Sequence, residues 1–186
     1  MYKVYISGAL TGVENLTETK AFYESIAMLC ERLDFLAYVP HLTTDPVSHP
    51  DVTPRSVFET DKSQVSQANL VIAYIGFPSL GVGMELAYAE TNATPIILLY
   101  EQGKHISRFP RGIPTVIAEI QFNDCGEALF QLKAVLTEWI KVQEEKPPLQ
   151  STELLLLNFW LRLMAAAEFG DLVGDVEQRS RHFGSR

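Results

Sequence analysis

Residues 69–92 constrain this chain more than any other stretch. Asn69-Leu70-Val71-Ile72-Ala73-Tyr74-Ile75 is an unbroken apolar, β-branched run, the pattern of a buried strand. Phe77-Pro78-Ser79-Leu80-Gly81-Val82-Gly83 follows, and from Met84 to Asn92 the chain is rich in good helix formers. Strand, tight loop and helix start mark the usual place for a ligand in an open α/β sheet. The spacing predicts a helix from about residue 83, with Glu85 in its first turn. There the free backbone N–H groups and the helix dipole favour a carboxylate. Gly81 and Gly83 would let the backbone approach a ligand closely. By position alone, Glu85 reads first as an acidic residue that stabilises a helix N-terminus.

The rest of the chain supports the same architecture. Tyr2-Lys3-Val4-Tyr5-Ile6-Ser7 reads as a first strand, closed by the loop Gly8-Ala9-Leu10-Thr11-Gly12, a cradle for a phosphate or sugar. Phe22, Ile26, Leu29 and Leu33 recur at helical spacing, so residues 17–33 should form a helix capped by Thr17. A second strand is expected over 36–40. Residues 41–54 hold Pro46, Pro50 and Pro54 and read as a mobile loop over the site, with His41 and His49 as ordinary loop histidines. Thr53 followed by Pro54 opens a helix to residue 68, with Val57, Asp61, Gln64 and Ala68 on one face. Asp61 alone would be a surface aspartate. Thr94-Pro95-Ile96-Ile97-Leu98-Leu99-Tyr100 is another fully apolar strand, which implies a parallel sheet covered on both faces. An irregular stretch, 101–114, precedes an edge strand over 115–122 and an amphipathic helix over 125–142. Pro147-Pro148 reads as a linker to a further helix over 151–169, apolar on most faces, and a polar tail. The expected fold is α/β: a doubly wound, Rossmann-like, mostly parallel sheet of about five strands flanked by helices, plus an extra C-terminal helix. Residues 1–146 form the α/β domain and 147–186 a helical extension and tail.

Composition narrows the partners. The net charge is −8, with 15 Lys and Arg against 23 Asp and Glu, which argues against a nucleic-acid polymer or an anionic membrane. A single nucleotide needs only a few local donors. Cys30 and Cys125 stand far apart and read as reduced and structural, in a cytoplasmic protein. No Cys or His spacing suggests a metal, and no cofactor is expected. The apolar run 154–167 is interrupted by Asn158 and Arg162 and is too short to span a bilayer.

The string Pro78-Ser79-Leu80-Gly81-Val82-Gly83-Met84-Glu85-Leu86-Ala87-Tyr88-Ala89 resembles the signature loop of the nucleoside 2-deoxyribosyltransferase superfamily. It is most similar to the branch of 2'-deoxynucleoside 5'-phosphate N-hydrolases, and the resemblance covers roughly residues 2–142. It implies that Glu85 is the nucleophile at the anomeric carbon. It implies that Asp61, in Glu59-Thr60-Asp61, works at the base and sugar, and that Tyr5 stands near the end of the first strand to hold Glu85. It assigns Gly8, Ser79, Gly81 and Gly83 to substrate binding. It further assigns Ser107 and Arg111 to a segment whose serine reaches the phosphate of the neighbouring subunit, in a homodimer or higher homo-oligomer. Taken alone, Ser107 is a loop serine and Arg111 a surface arginine. Where the N-hydrolase branch has Gly-Ser, this chain has Gly8-Ala9, so Ser7 or Thr11 would have to substitute.

These residues imply cleavage of an N-glycosidic bond, releasing free base and sugar phosphate through a glycosyl ester on Glu85. Ser79 stands where the transferase branch has an aspartate. A carboxylate would repel a 5'-phosphate and a hydroxyl can donate to it, so a (deoxy)nucleoside 5'-monophosphate is the expected substrate. Two other readings stay open: a nucleoside 2-deoxyribosyltransferase acting on unphosphorylated nucleosides, and a catalytically silent nucleotide-binding module.

Overall fold

The computed structural model describes residues 1–45 and 48–145. In chain order the elements are β1 (Tyr2–Gly8), α1 (Leu16–Glu31), β2 (Phe35–Tyr38), α2 (His41–Thr44), α3 (Pro54–Ser66), β3 (Leu70–Tyr74), α4 (Leu80–Thr91), β4 (Ile96–Glu101), α5 (Arg108–Arg111), β5 (Val116–Phe122) and α6 (Cys125–Glu145). The strands form one parallel sheet in the order β2-β1-β3-β4-β5, so the fold is the expected doubly wound α/β sheet. Winding reverses between β1 and β3, and the crevice outside their carboxyl ends is where such sheets bind ligands. The chain divides into two compact units, 1–140 and 141–186. The expected linker, helix 151–169 and tail lie outside the described residues.

Both faces of the sheet are covered. Val4, Ile6, Ile72, Ile97 and Leu99 pack under α1 and α6 through Phe22, Ile26, Leu132 and Leu136. Tyr5, Val71, Ala73 and Leu98 pack under α3 and α4 through Val65, Val82, Leu86 and Ala89. Alternation along β1 therefore sends Val4 and Ile6 to one core and Tyr5 to the other. Ser7 follows Tyr5.

Several elements depart from the sequence expectation. Asn15, not Thr17, caps α1, its side chain accepting from the Glu18 N–H at 3.3 Å. More consequentially, α4 begins at Leu80, with Ser79 as its cap. Gly81 and Gly83 lie inside the helix rather than before it, and Glu85 is in the second turn; the first turn holds no acidic residue. Two helical glycines cost about 1 kcal/mol each. Buried Val82, Leu86 and Ala89 offset that by about 1.5–3 kcal/mol for each large aliphatic side chain. The segment expected to be a mobile loop starts instead as the helical turn α2, with His41 buried and its Nε2 2.9 Å from Glu24 Oε1. Asp45, also buried, pairs with Lys20. Cys30 is buried as expected, whereas Cys125 is exposed; both are free.

Candidate active site

The crevice between β1 and β3 draws side chains from four elements. Tyr5 and Ser7 leave β1 toward α4, two residues apart on one face. Tyr5 Oη donates to Glu85 Oε1 at 2.8 Å, and Ser7 Oγ donates to Glu85 Oε2 at 2.5 Å. On β2, Tyr38 donates to Asp61 Oδ1 of α3 at 2.9 Å, and its hydroxyl also bonds the Thr43 hydroxyl at 2.8 Å. The Tyr5 and Tyr38 rings stack with centroids 5.5 Å apart, a register set by the direct pairing of these residues across β1 and β2. The result is a continuous chain, Glu85–Tyr5–Tyr38–Asp61, built from residues up to 80 positions apart.

Burial dominates the electrostatics. It raises the Glu85 carboxyl to about 7, against the lowering effect of the Ser7 and Tyr5 hydroxyls; the charge of Asp61 raises it further. Asp61 is also raised, chiefly by burial, with its bond from Tyr38 opposing. Tyr5, fully buried, is pushed well above the usual phenol range by burial and then by Glu85, so it remains a donor. Neither carboxyl has a basic partner among the described residues. Two acids without a basic partner, each held toward its protonated form chiefly by burial, are suited to proton transfer.

The other expected site residues fall into two groups. Ser79 caps α4, accepting from the Val82 N–H at 3.4 Å, and Leu80 beside it is exposed. A Cβ on Gly81 would meet only Ser79 Oγ at 3.7 Å, and one on Gly83 would meet nothing within 4 Å. The fold of this chain therefore requires neither glycine. Gly8 differs: a Cβ there would collide with the Tyr23 ring, whose hydroxyl donates to the Ala9 carbonyl at 3.1 Å. Gly8 thus serves close packing of α1 on the end of β1. Ala9 is fully buried.

Ser107 is exposed and caps α5. With Ser79, Gly83, Met84 and Phe109 it lines a groove of about 1250 Å³ between α4 and residues 105–114. Glu85 and Asp61 are not among the groove's lining residues. Arg111 points elsewhere, its Nε bonding Glu119 Oε2 at 2.7 Å beside the Tyr100 ring. Among the described residues no cluster of His, Cys, Asp and Glu could hold a metal ion, and no helix is long and apolar enough to cross a membrane.

Two residues of the site were not legible as such. Ser7 read only as a substitute phosphate ligand, and Tyr38 only as part of a strand. Strand periodicity carries the missing signal. Ser7 shares a face with Tyr5, and Tyr38 lies beside Tyr5 in the sheet.

No protein-family model matches the sequence. Curated relatives do. A protein of Thermofilum pendens named "Putative 2'-deoxynucleoside 5'-phosphate N-hydrolase 1" is 28% identical over 146 residues, spanning 76% of this chain and 99% of the relative. A protein of the same name from Methanosarcina mazei is 24% identical over 140 residues, 74% of this chain and 83% of its own. Among solved structures, the Clostridium botulinum CMP N-glycosidase BcmB superposes with a TM-score of 0.52 at 20% identity, covering 70% of this chain and 97% of that one. The structure of BlsM gives 0.59 at 16% identity, over 79% and 98%. In sequence this chain is similar to proteins named 2'-deoxynucleoside 5'-phosphate N-hydrolases.

Proposed function

We propose that this chain hydrolyses the N-glycosidic bond of a (deoxy)nucleoside 5'-monophosphate, releasing the free base and a sugar phosphate. The observation that carries the reading is the Glu85 carboxylate, held on both oxygens by Tyr5 and Ser7, with a second carboxyl, Asp61, near enough for its charge to be felt there. The names of the curated relatives support the same substrate class.

The chemistry follows from those groups. A Glu85 oxygen attacks C1' as the C1'–N bond breaks, and the departing base keeps the bonding pair and takes a proton from Asp61. Water then attacks C1' of the glycosyl ester. It gives one proton to Asp61 and returns Glu85 as a carboxylate. Tyr5 stays protonated throughout and holds the nucleophile. The 5'-phosphate has a natural seat at the start of α4, where the first N–H groups lack helical partners and the dipole favours an anion. The Ser79 hydroxyl can donate there while accepting from Val82. Gly81 leaves that approach uncovered.

A second reading is a deoxyribosyltransferase or hydrolase of unphosphorylated nucleosides. It is favoured by Ala9, which supplies no hydroxyl, and by Arg111, which is tied to Glu119. Incubation with a panel of nucleosides and their 5'-monophosphates decides between them. The main reading expects base release from the monophosphate to be much the faster. Equal rates would favour the second, and no base from any member would leave a binding module. The groove beside α4, with Leu80 and Phe109 91% and 88% exposed, supports a homodimer in which Ser107 reaches the neighbouring site. Two free cysteines and an acidic composition accord with a cytoplasmic setting.

A further inference from the structure

Ser7 lies at the end of β1 with no exposed surface. A buried hydroxyl has no water to turn to, and it has a single hydrogen to place. Here that hydrogen goes to Glu85 Oε2 at 2.5 Å, while Tyr5 occupies Oε1. The backbone on either side is pinned. β3 pairs with Ser7 and Gly8, and the Tyr23 hydroxyl holds the Ala9 carbonyl. The titratable groups that face Glu85 are Tyr5 from β1, Asp61 from α3, Tyr38 from β2 and Tyr23 from α1. None of them brings a positive charge. Hydroxyl donors are therefore the anion's support in this site.

We propose that Ser7 is a positioning residue for the Glu85 carboxylate, its buried hydroxyl locking the second oxygen so that the plane of the carboxylate is fixed. One donor leaves a carboxylate free to turn about its last side-chain bond. Two donors, one on each oxygen and both on the same rigid strand, do not. Each oxygen accepts a single bond and keeps a lone pair for an electrophile. When one oxygen forms the bond to C1', the donor on the other remains to hold the ester carbonyl. Burial opposes the charged form of Glu85, and each donated bond favours it. In this chain the serine stands before Gly8, turned inward, and an alanine stands after it.

The role in turnover rests on the function proposed above; the bond itself does not, and the test separates the two. Full-length protein labelled with 13C at the glutamate carboxyl carbon would be titrated by NMR, with Glu85 assigned by the signal lost in Glu85→Gln. Ser7→Ala should raise the Glu85 midpoint by about one pH unit, and Tyr5→Phe should also raise it. With a nucleoside 5'-monophosphate near pH 7, Ser7→Ala should lower kcat about tenfold or more with KM within about twofold. Ser7→Cys, a weaker donor of similar shape, should fall between. An unmoved midpoint in Ser7→Ala, or a raised KM at unchanged kcat, overturns the proposal. Should Ser7→Ala not fold, the Ser7→Cys midpoint decides in the same way. If the wild type releases no base from any nucleotide, the proposed function fails while the carboxyl titration still decides the part of Ser7.

Discussion

Glu85 carries its charge where the fold disfavours it, and that has measurable consequences. Its carboxyl is raised to about 7 from 4.5, so the native state holds a proton that the unfolded chain releases. Between those values the native state binds more protons, and stability falls as pH rises through the window, then levels off above it. Glu85→Gln removes this penalty. The variant should be more stable than the wild type by about 1–3 kcal/mol at pH 8, with the difference gone near pH 4.5; paired denaturant melts at the two pH values would read this. The same substitution removes the proposed nucleophile, so base release should drop by at least about a hundredfold. A variant that is less stable at pH 8, or that keeps more than a hundredth of the rate, contradicts the reading. In the wild type, kcat should fall on the acid side of pH about 7 as Glu85 takes up its proton. A phosphate-free nucleoside, if turned over, shows that limb without the phosphate's own titration near pH 6.

At the scale of the element, α4 is built against helix propensity. Gly81 and Gly83 sit in its first two turns, in a helix that nothing in this chain obliges to be glycine there. Gly81 lies one turn before Glu85, on the same face. Gly81→Ala should therefore stabilise the protein by about 0.5–1 kcal/mol. It should also lower kcat/KM for the monophosphate at least about tenfold, because the new methyl group covers the approach to the free N–H groups of the helix start. Thermal melts and steady-state rates on one preparation test both halves. A stabilised variant with full activity would mean that the helix start is not a substrate seat. Gly8 behaves oppositely. Its alanine would drive into Tyr23 and should destabilise the fold.

The whole molecule raises the question of a second copy. Ser107 and Ser79 of one chain line one groove, so a Ser107 contact to a phosphate at Ser79 is open within a chain as well as across an interface, and only mixed chains separate the two. Mixing Glu85→Gln chains with Ser107→Ala chains tests this. In a mixed dimer, one site pairs the intact Glu85 of one chain with the intact Ser107 of the other and should regain high affinity for the nucleotide. The other site carries both defects and stays silent. Native mass spectrometry would confirm exchange; activity equal to the sum of the parts would then rule out action in trans. The sheet itself tolerates none of this variation. Ile97 and Leu98 are fully buried, and truncating either to alanine should cost about 2–5 kcal/mol.

The resemblance of residues 78–89 singles out Glu85, with Asp61 and Tyr5, whereas local pattern by itself was sufficient for the strands of the sheet and for Thr53 and Pro54 at the head of α3. In these cases the determining residues are neighbours in the chain, and strand or helix period reports which face they share. Local pattern failed at the start of α4, where Gly81 and Gly83 read as loop. Ser79 capping and the burial of Val82 and Leu86 outweigh glycine's poor propensity only once a sheet is there to pack against. It failed again at Ser7, Tyr38 and Arg111. Ser7 finds Glu85 across 78 residues, Tyr38 finds Asp61 across 23, and Arg111 finds Glu119 on an adjacent strand. A hydrogen bond goes to whichever acceptor the fold brings within about 3 Å, and that distance is set by strand order and helix docking, not by the spelling of either segment. Glu85 thus stands out in the sequence through a resemblance, while the donors that hold it and the burial that raises its pKa exist only once β1, β2, α3 and α4 have assembled.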